Sequence, residues 1–282
     1  MEKGDTVNVV FLCIINIIFM ISGIFLNSVV IISLWRSRQL RKKLCYFMIL
    51  VLSCFDLAVV SITHPLVITS TIYFPIEGIL RTREDRRALI CFTLCGLSMF
   101  ALLALNIERF LALTCPYFHQ TFVTKERLVG FLASLSILVV GLSPLLYVNK
   151  KTLLILNVLA AICISFMLFL SIYANYKMFL IAKSKRVDKK VAPLGPATSK
   201  YTRNKKRTVN FKNISTCSLA VICYFLCCCP YIAYLAFRRL GSQEQSYDGQ
   251  VLIFNLWATT FGSVNSTLNC VIFFWRNSVL RR

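Results

Sequence analysis

Three consecutive cysteines precede a proline in "FLCCCPY", Phe225 to Tyr231, inside a long apolar run. Thiols of this kind hold metals or run redox chemistry, so the spacing matters. Zinc takes four ligands in a tetrahedral array. Consecutive residues on a helix point about 100° apart at 3.6 residues per turn, so Cys227, Cys228 and Cys229 cannot converge on one ion. A redox pair needs an activating charge or histidine beside it, and the surrounding sequence supplies neither. What remains is a bend, because Pro230 withholds a backbone donor within a helix.

Polar residues buried in apolar sequence carry more information. Asp56 in "VLSCFDLAVV" is the only acid deep within an apolar run. A charge at mid-membrane depth costs roughly 2.5–3.5 kcal/mol on insertion scales and marks a functional position. At similar depth stand Asn27 in "GIFLNSVVI", Ser98 in "LCGLSMF", and Asn265, Ser266 and Asn269 in "SVNSTLNCVIF". Asn265 and Asn269 are four apart and share a helix face. Carboxylate, amide and hydroxyl oxygens together suit a small hard cation. Glu108 and Arg109 close another apolar run, where an arginine either points into a bundle or reaches for the interface. His64 precedes Pro65 and reads as a packed or hydrogen-bonded histidine at a kink.

The elements that position these residues are membrane spans. The 282 residues are 57% hydrophobic, more than a soluble surface allows. Seven runs reach the roughly 20 residues that a bilayer core requires: Val7–Trp35, Leu44–Phe74, Arg87–Thr114, Arg127–Tyr147, Thr152–Ala182, Thr208–Phe237 and Gln250–Trp275. Each must be helical, since lipid offers no partner to a backbone amide. The expected fold is an all-α membrane protein, a seven-helix bundle over 7–275, with a short external segment 1–6 and a tail 276–282. The first run is too long for a signal-peptide core.

The net charge of +21 sits in short loops rather than on a nucleic-acid-binding fold. The segment 36–43 holds five basic residues and no acid, and Lys183–Lys212 holds eleven against Asp188 alone. The positive-inside rule therefore places the N-terminus outside. The thirteen cysteines fall almost entirely in apolar runs and read as reduced apolar fillers.

In order along the chain, these residues resemble the rhodopsin-like (class A) G protein-coupled receptors. Gly23 and Asn27 match "GN..V" of the first helix, and Asp56 matches the buried acid of the second. "ERF" followed by Pro116 resembles the D/E-R-Y motif and the second inner loop. The stretch ending in "CCCPY" resembles the sixth helix with its C-W-x-P, and "NSTLNCVIFF" resembles N-S-x-x-N-P-x-x-Y ahead of an amphipathic eighth helix. The resemblance implies a multi-pass plasma-membrane receptor that is not an enzyme. It implies an extracellular ligand and a heterotrimeric G protein as partners. Glu108, Arg109, Phe110 and Pro116 would serve G protein coupling. Asp56, Ser98, Asn265, Ser266 and Asn269 would hold a sodium ion, with no other cofactor. Asn27, Pro230 and Phe273 would belong to the helix switch.

Several family features are missing. No cysteine lies where the outer end of the third helix is usually tied down, the fifth helix lacks its proline, and Asn175 holds its inner tyrosine position. Cys270 and Phe273 replace Pro and Tyr, and Cys228 replaces the Trp of the sixth helix. The missing bridge and proline resemble the melanocortin-like branch. The expected ligand row is Cys91, Cys95, Cys228, Tyr231, Ile232, Leu235, Asn255 and Thr259. With cysteine rather than aspartate at position 91, it suits an apolar small molecule, a lipid or a short peptide better than an amine. The alternatives are a receptor-like protein without signalling, a transporter, or a membrane thiol oxidoreductase.

Overall fold

The computed structural model describes residues 3–73, 81–142, 165–166, 169–181, 211–240 and 249–276. Every element among them is an α-helix: α1 Lys3–Arg36, α2 Arg38–Lys42, α3 Leu44–Tyr73, α4 Arg81–Thr114, α5 Pro116–Phe122, α6 Lys125–Leu142, α7 at 169–181, α8 Phe211–Leu240 and α9 Gly249–Arg276. The tail 277–282, expected to begin an eighth helix of the bundle, and most of the fifth expected span lie outside the described residues.

Helices begin earlier than the apolar runs do. The first starts at Lys3 rather than Val7, and α4 starts at Arg81 rather than Arg87. At 1.5 Å per residue, the 34 residues of each reach about 51 Å, well beyond a hydrocarbon core of ~30 Å. Their polar ends continue the helix beyond the apolar segment. Short elements close the gaps at one end. Ser37 caps α2 by accepting from the Leu40 amide. Pro116 opens α5, where its missing N–H costs nothing. Thr124 accepts from the Arg127 amide at the start of α6.

Three helices, α1 Thr6–Arg36, α3 and α4 Leu89–Thr114, are long and apolar enough to cross a membrane. The side-chain distribution agrees with that. Val10, Phe11, Ile14, Ile18, Ile21 and Phe25 of α1 are exposed along one side of the helix. Asn16, Asn27, Asp56, His64, Asn106 and Asn269 are almost completely buried. A water-soluble domain shows the reverse order, so lipid is the solvent here, and the chain is a membrane protein.

Packing is centred on α3 and α9. α1 lies on both, α4 packs on α3, and α8 packs along α9. Gly23 makes the closest approach: a Cβ there would stand 2.5 Å from Thr267 Oγ1 and 2.8 Å from Val60 Cγ1. Small residues permit this proximity between membrane helices. The apolar core divides into two parts. One, around Leu34, Met48, Leu52, Leu105 and Phe273, lies toward the end carrying α2 and α5. The other, Leu12, Val67 and Leu256, lies toward the opposite end. A polar layer separates them.

Cysteines follow the filler expectation in part. Cys91, Cys227 and Cys270 are buried, whereas Cys54 and Cys115 are exposed. Cys54 faces outward from α3, where a thiol is apolar enough for a hydrocarbon surround.

Candidate functional site

The central layer is built around Asp56, which α3 places 1% exposed in the middle of the bundle. Ser98 of α4 donates to its Oδ1 at 2.5 Å, and Asn269 of α9 donates to its Oδ2 at 3.2 Å. Ser266 lies within hydrogen-bonding reach of the same carboxylate. Asn27 of α1 donates to the carbonyls of Gly23, at 2.9 Å, and Ser266, at 3.4 Å. Four helices thus meet through short polar side chains. The layer is rich in acceptors: Oδ1 of Asn27, Asn265 and Asn269 are buried without a hydrogen-bond partner. Buried amide oxygens left this way are uncommon and call for an explanation. An oxygen-binding cation supplies one, so the donor set fits the sodium ion that the family resemblance implies.

The second cluster closes the end of α4. Glu108 is buried, and its Oε2 lies 3.7 Å from Nε of Arg109. Its Oε1 lies 3.1 Å from Nε2 of His119 on α5. The Arg109 guanidinium reaches Cys45 at the start of α3, and its side chain is 24% exposed. Phe110 is half-buried and Pro116 is exposed as the first residue of α5. Basic side chains surround this end. Lys125 donates to the Arg41 carbonyl at 2.5 Å and stands 5.3 Å from the Phe47 ring, while Arg41 lies over Trp35.

The expected ligand row is only partly assembled. Cys91, Asn255 and Thr259 are buried, Cys95, Cys228 and Tyr231 are half-buried, and Ile232 is 42% exposed on the outer side of α8. The side chain of Leu235 lies outside the described residues. Cys95 has Cys91, Cys228 and Ser263 around it, and Tyr224 is hydrogen-bonded to Cys228. Aromatic rings run across α4, α8 and α9: Phe92 to Tyr231 at 6.2 Å, Tyr231 to Tyr234 at 6.1 Å, and Tyr234 to Phe254 at 6.1 Å. Pro230 sits within the unbroken helix α8 and leaves the Leu226 carbonyl without its helical donor. Phe273 is packed in the core at the Arg109 end.

Other buried polar contacts lie outside the sites that the sequence named. His64, completely buried, meets Asn16 Oδ1 at 2.7 Å through Nδ1, and Asn16 donates to Thr260 at 3.0 Å. This triad joins α1, α3 and α9 on the far side of the Asp56 layer. Asn175 donates to Asn106 at 3.4 Å and accepts from Ser218 at 3.0 Å, linking α7 to α4 and α8. Arg87 is 3% exposed near the far end of α4 and points Nη1 at Thr259 Oγ1, 3.4 Å away. Asparagine in an apolar run was the available signal for Asn16 and Asn106. Arg87 had none, because it looked like a residue at the span boundary.

Residues 26–154, a little under half of the chain, match the 7 transmembrane receptor (rhodopsin family). The matched segment contains Asn27, Asp56, Ser98, Glu108, Arg109, Phe110 and Pro116, and ends before α8 and α9. It is similar to a receptor family rather than to an enzyme family. No curated protein matches the chain.

Proposed function

We propose that the chain is a rhodopsin-like G protein-coupled receptor of the plasma membrane, with seven spans and an external N-terminus. It would relay an extracellular, non-aminergic ligand to a heterotrimeric G protein. The observation that carries this reading is the Asp56 carboxylate, held by Ser98 of α4 and by Asn269 of α9. Two of its three helices lie within the rhodopsin-family match, while Asn269 comes from outside it. The match is with the family at large and does not bear on the melanocortin-like branch.

In this reading the resting bundle is held at two levels. Glu108 restrains Arg109 beside it and engages His119 of α5. Asn175 ties α8 to α7 and α4 through Ser218 and Asn106. Activation swings the Phe211 end of α8 outward about Pro230, parts Ser218 from Asn175, and uncovers Arg109 for the G protein's C-terminal helix. Asp56, Ser98, Asn265, Ser266 and Asn269 would hold a sodium ion, which supplies positive charge between α3, α4 and α9 in the resting packing. A ligand that favours one packing shifts the population toward it.

The test is expression in cells that report several G protein pathways, with a ligand screen and Arg109→Ala as the control. Loss of all responses in Arg109→Ala, at unchanged surface expression, is expected. A wild-type response that survives in that variant removes Arg109 from the mechanism.

A further inference from the structure

The end of the bundle that carries α2 and the start of α6 gathers basic side chains that the receptor reading leaves unused. Arg36, Arg38, Arg41, Lys42 and Lys43 lie on or beside α2, and Lys125 and Arg127 lie in the first turn of α6. The one acid in these two segments is Glu126, which is exposed and hydrogen-bonded to Thr124.

Two of the cations are fixed in place. Lys125 donates to the Arg41 carbonyl at 2.5 Å and stands 5.3 Å from the Phe47 ring. The Arg41 guanidinium lies 4.9 Å from the centre of the Trp35 ring, and its Nε is buried without a hydrogen-bond partner. A donor left in that state costs free energy, and a phosphate oxygen matches the guanidinium fork. Trp35 sets the depth of this pair. Phe11, Ile18, Ile21, Phe25, Ile32 and Trp35 recur at helical spacing on α1 and are all exposed, so they form one lipid-facing stripe. The 24 residues from Phe11 to Trp35 rise about 36 Å, a hydrocarbon core and part of its interfaces. Trp35 ends the stripe, and tryptophan in that position sits at the headgroup level. The guanidinium over its ring therefore stands beside lipid phosphates rather than in open water.

We propose that this corner of α1, α2 and α6 binds the headgroup of an anionic phospholipid carrying a phosphate monoester, with Arg41 and Lys125 as its anchors. Arg38 and Lys42, exposed and four apart on α2, add charge along the rim. The positive-inside orientation puts the corner in the cytoplasmic leaflet, where anionic lipid is concentrated. An acidic protein segment would match the charge, but not a tryptophan 63% exposed at the end of a lipid-facing stripe. The site rests on the membrane-protein character of the chain and is independent of the receptor reading.

Trp35 serves as the reporter. The full chain is reconstituted in phosphatidylcholine vesicles that hold a small fraction of phosphatidylinositol bisphosphate brominated high on its acyl chains. Bromine quenches a tryptophan it touches, and the share of Trp35 is the quenching that Trp35→Phe loses. Matched vesicles carry brominated phosphatidylcholine at the same fraction. Stronger quenching of Trp35 by the inositide is expected, saturating as its fraction rises. Arg41→Gln with Lys125→Gln weakens that binding about 30-fold, the effect of two basic residues at a charged membrane surface. Lys205→Gln with Lys206→Gln removes the same charge from the segment 183–212 and changes it less than about threefold. If the first variant does not fold, as judged by its thermal midpoint, Arg38→Gln with Lys42→Gln is read instead, with about a tenfold loss for more screened charges. The proposal is overturned if the substitution read leaves the binding unchanged, or if the loop control weakens it equally. Equal quenching by the two brominated lipids also overturns it, and leaves an acidic protein segment as the occupant that fits the charge. Soluble inositol trisphosphate at the same concentration should leave the quenching in place; its reversal would overturn a lipid as the ligand.

Discussion

The layer around Asp56 and the cluster around Arg109 are both polar groups set in an apolar bundle, and they are built in opposite ways. Asp56 is held from α4 and α9 by neutral donors, on helices that also pack tightly beside it. Arg109 is engaged by its own neighbour Glu108, by the first turn of α3, and, through Glu108, by His119 on a seven-residue helix. The first arrangement cannot change without moving whole helices. The second opens if a short helix shifts or one side chain swings. The contrast predicts where substitutions will hurt stability and where they will not.

The largest loss of stability is expected in the tight layer. Gly23→Leu forces a side chain into the space where even a Cβ meets Thr267 and Val60. Overpacking of this kind costs about 1–3 kcal/mol and sometimes more. A thermal midpoint in detergent several degrees below wild type is expected; an unchanged midpoint would show that α1 shifts at no cost. Next comes Asp56→Ala, which removes the acceptor of Ser98 and Asn269. Hydrogen bonds between membrane helices average only ~0.6 kcal/mol, so a loss of about 1–2 kcal/mol is expected for the two. The same variant tests the cation. Replacing potassium chloride by sodium chloride should raise the midpoint of the wild type and not that of Asp56→Ala. A wild type indifferent to the exchange removes the sodium site.

The same contrast explains what the sequence made legible. Asp56, Asn27 and Asn269 stood out because a polar side chain in hydrocarbon is expensive whatever its neighbours are. Their depth along each helix then placed them in one layer. The three helices long and apolar enough to cross a membrane were legible for the same reason, although the ends of α1 and α4 were not, because Lys3–Thr6 and Arg81–Arg86 continue the helix in sequence that is not apolar. Partners chosen by tertiary proximity were invisible. His119 sits 11 residues from Glu108, in a loop where histidine is unremarkable, and Cys45 looked like one more filler. Thr260 and Ser218 carry hydroxyls that any membrane helix turns back on its own carbonyls, so their cross-helix bonds left no mark in the pattern. Asn175 was visible as a departure from the family, but its link to Asn106 and Ser218 needed coordinates.

The smallest effects belong to the open cluster, and they sharpen the comparison most. Arg109→Ala should leave the thermal midpoint within the range of about 0.5 kcal/mol typical of changes outside a packed core, while the receptor reading expects it to remove signalling. His119→Ala takes away one partner of Glu108 from a helix that rests on the surface of the bundle. The two side chains are 12% and 4% exposed, and one hydrogen bond between them contributes about 0.5–1.5 kcal/mol, so the midpoint should fall by no more than that. Its informative readout is basal signalling: with Glu108 released from α5, the end of α4 is less restrained, and basal activity should rise by a modest factor at equal surface expression. If His119→Ala instead lowers stability as much as Asp56→Ala does, α5 is as fixed a part of the bundle as α9. The two clusters would then be the same kind of structure, and the division between a layer that holds and a cluster that opens would fail.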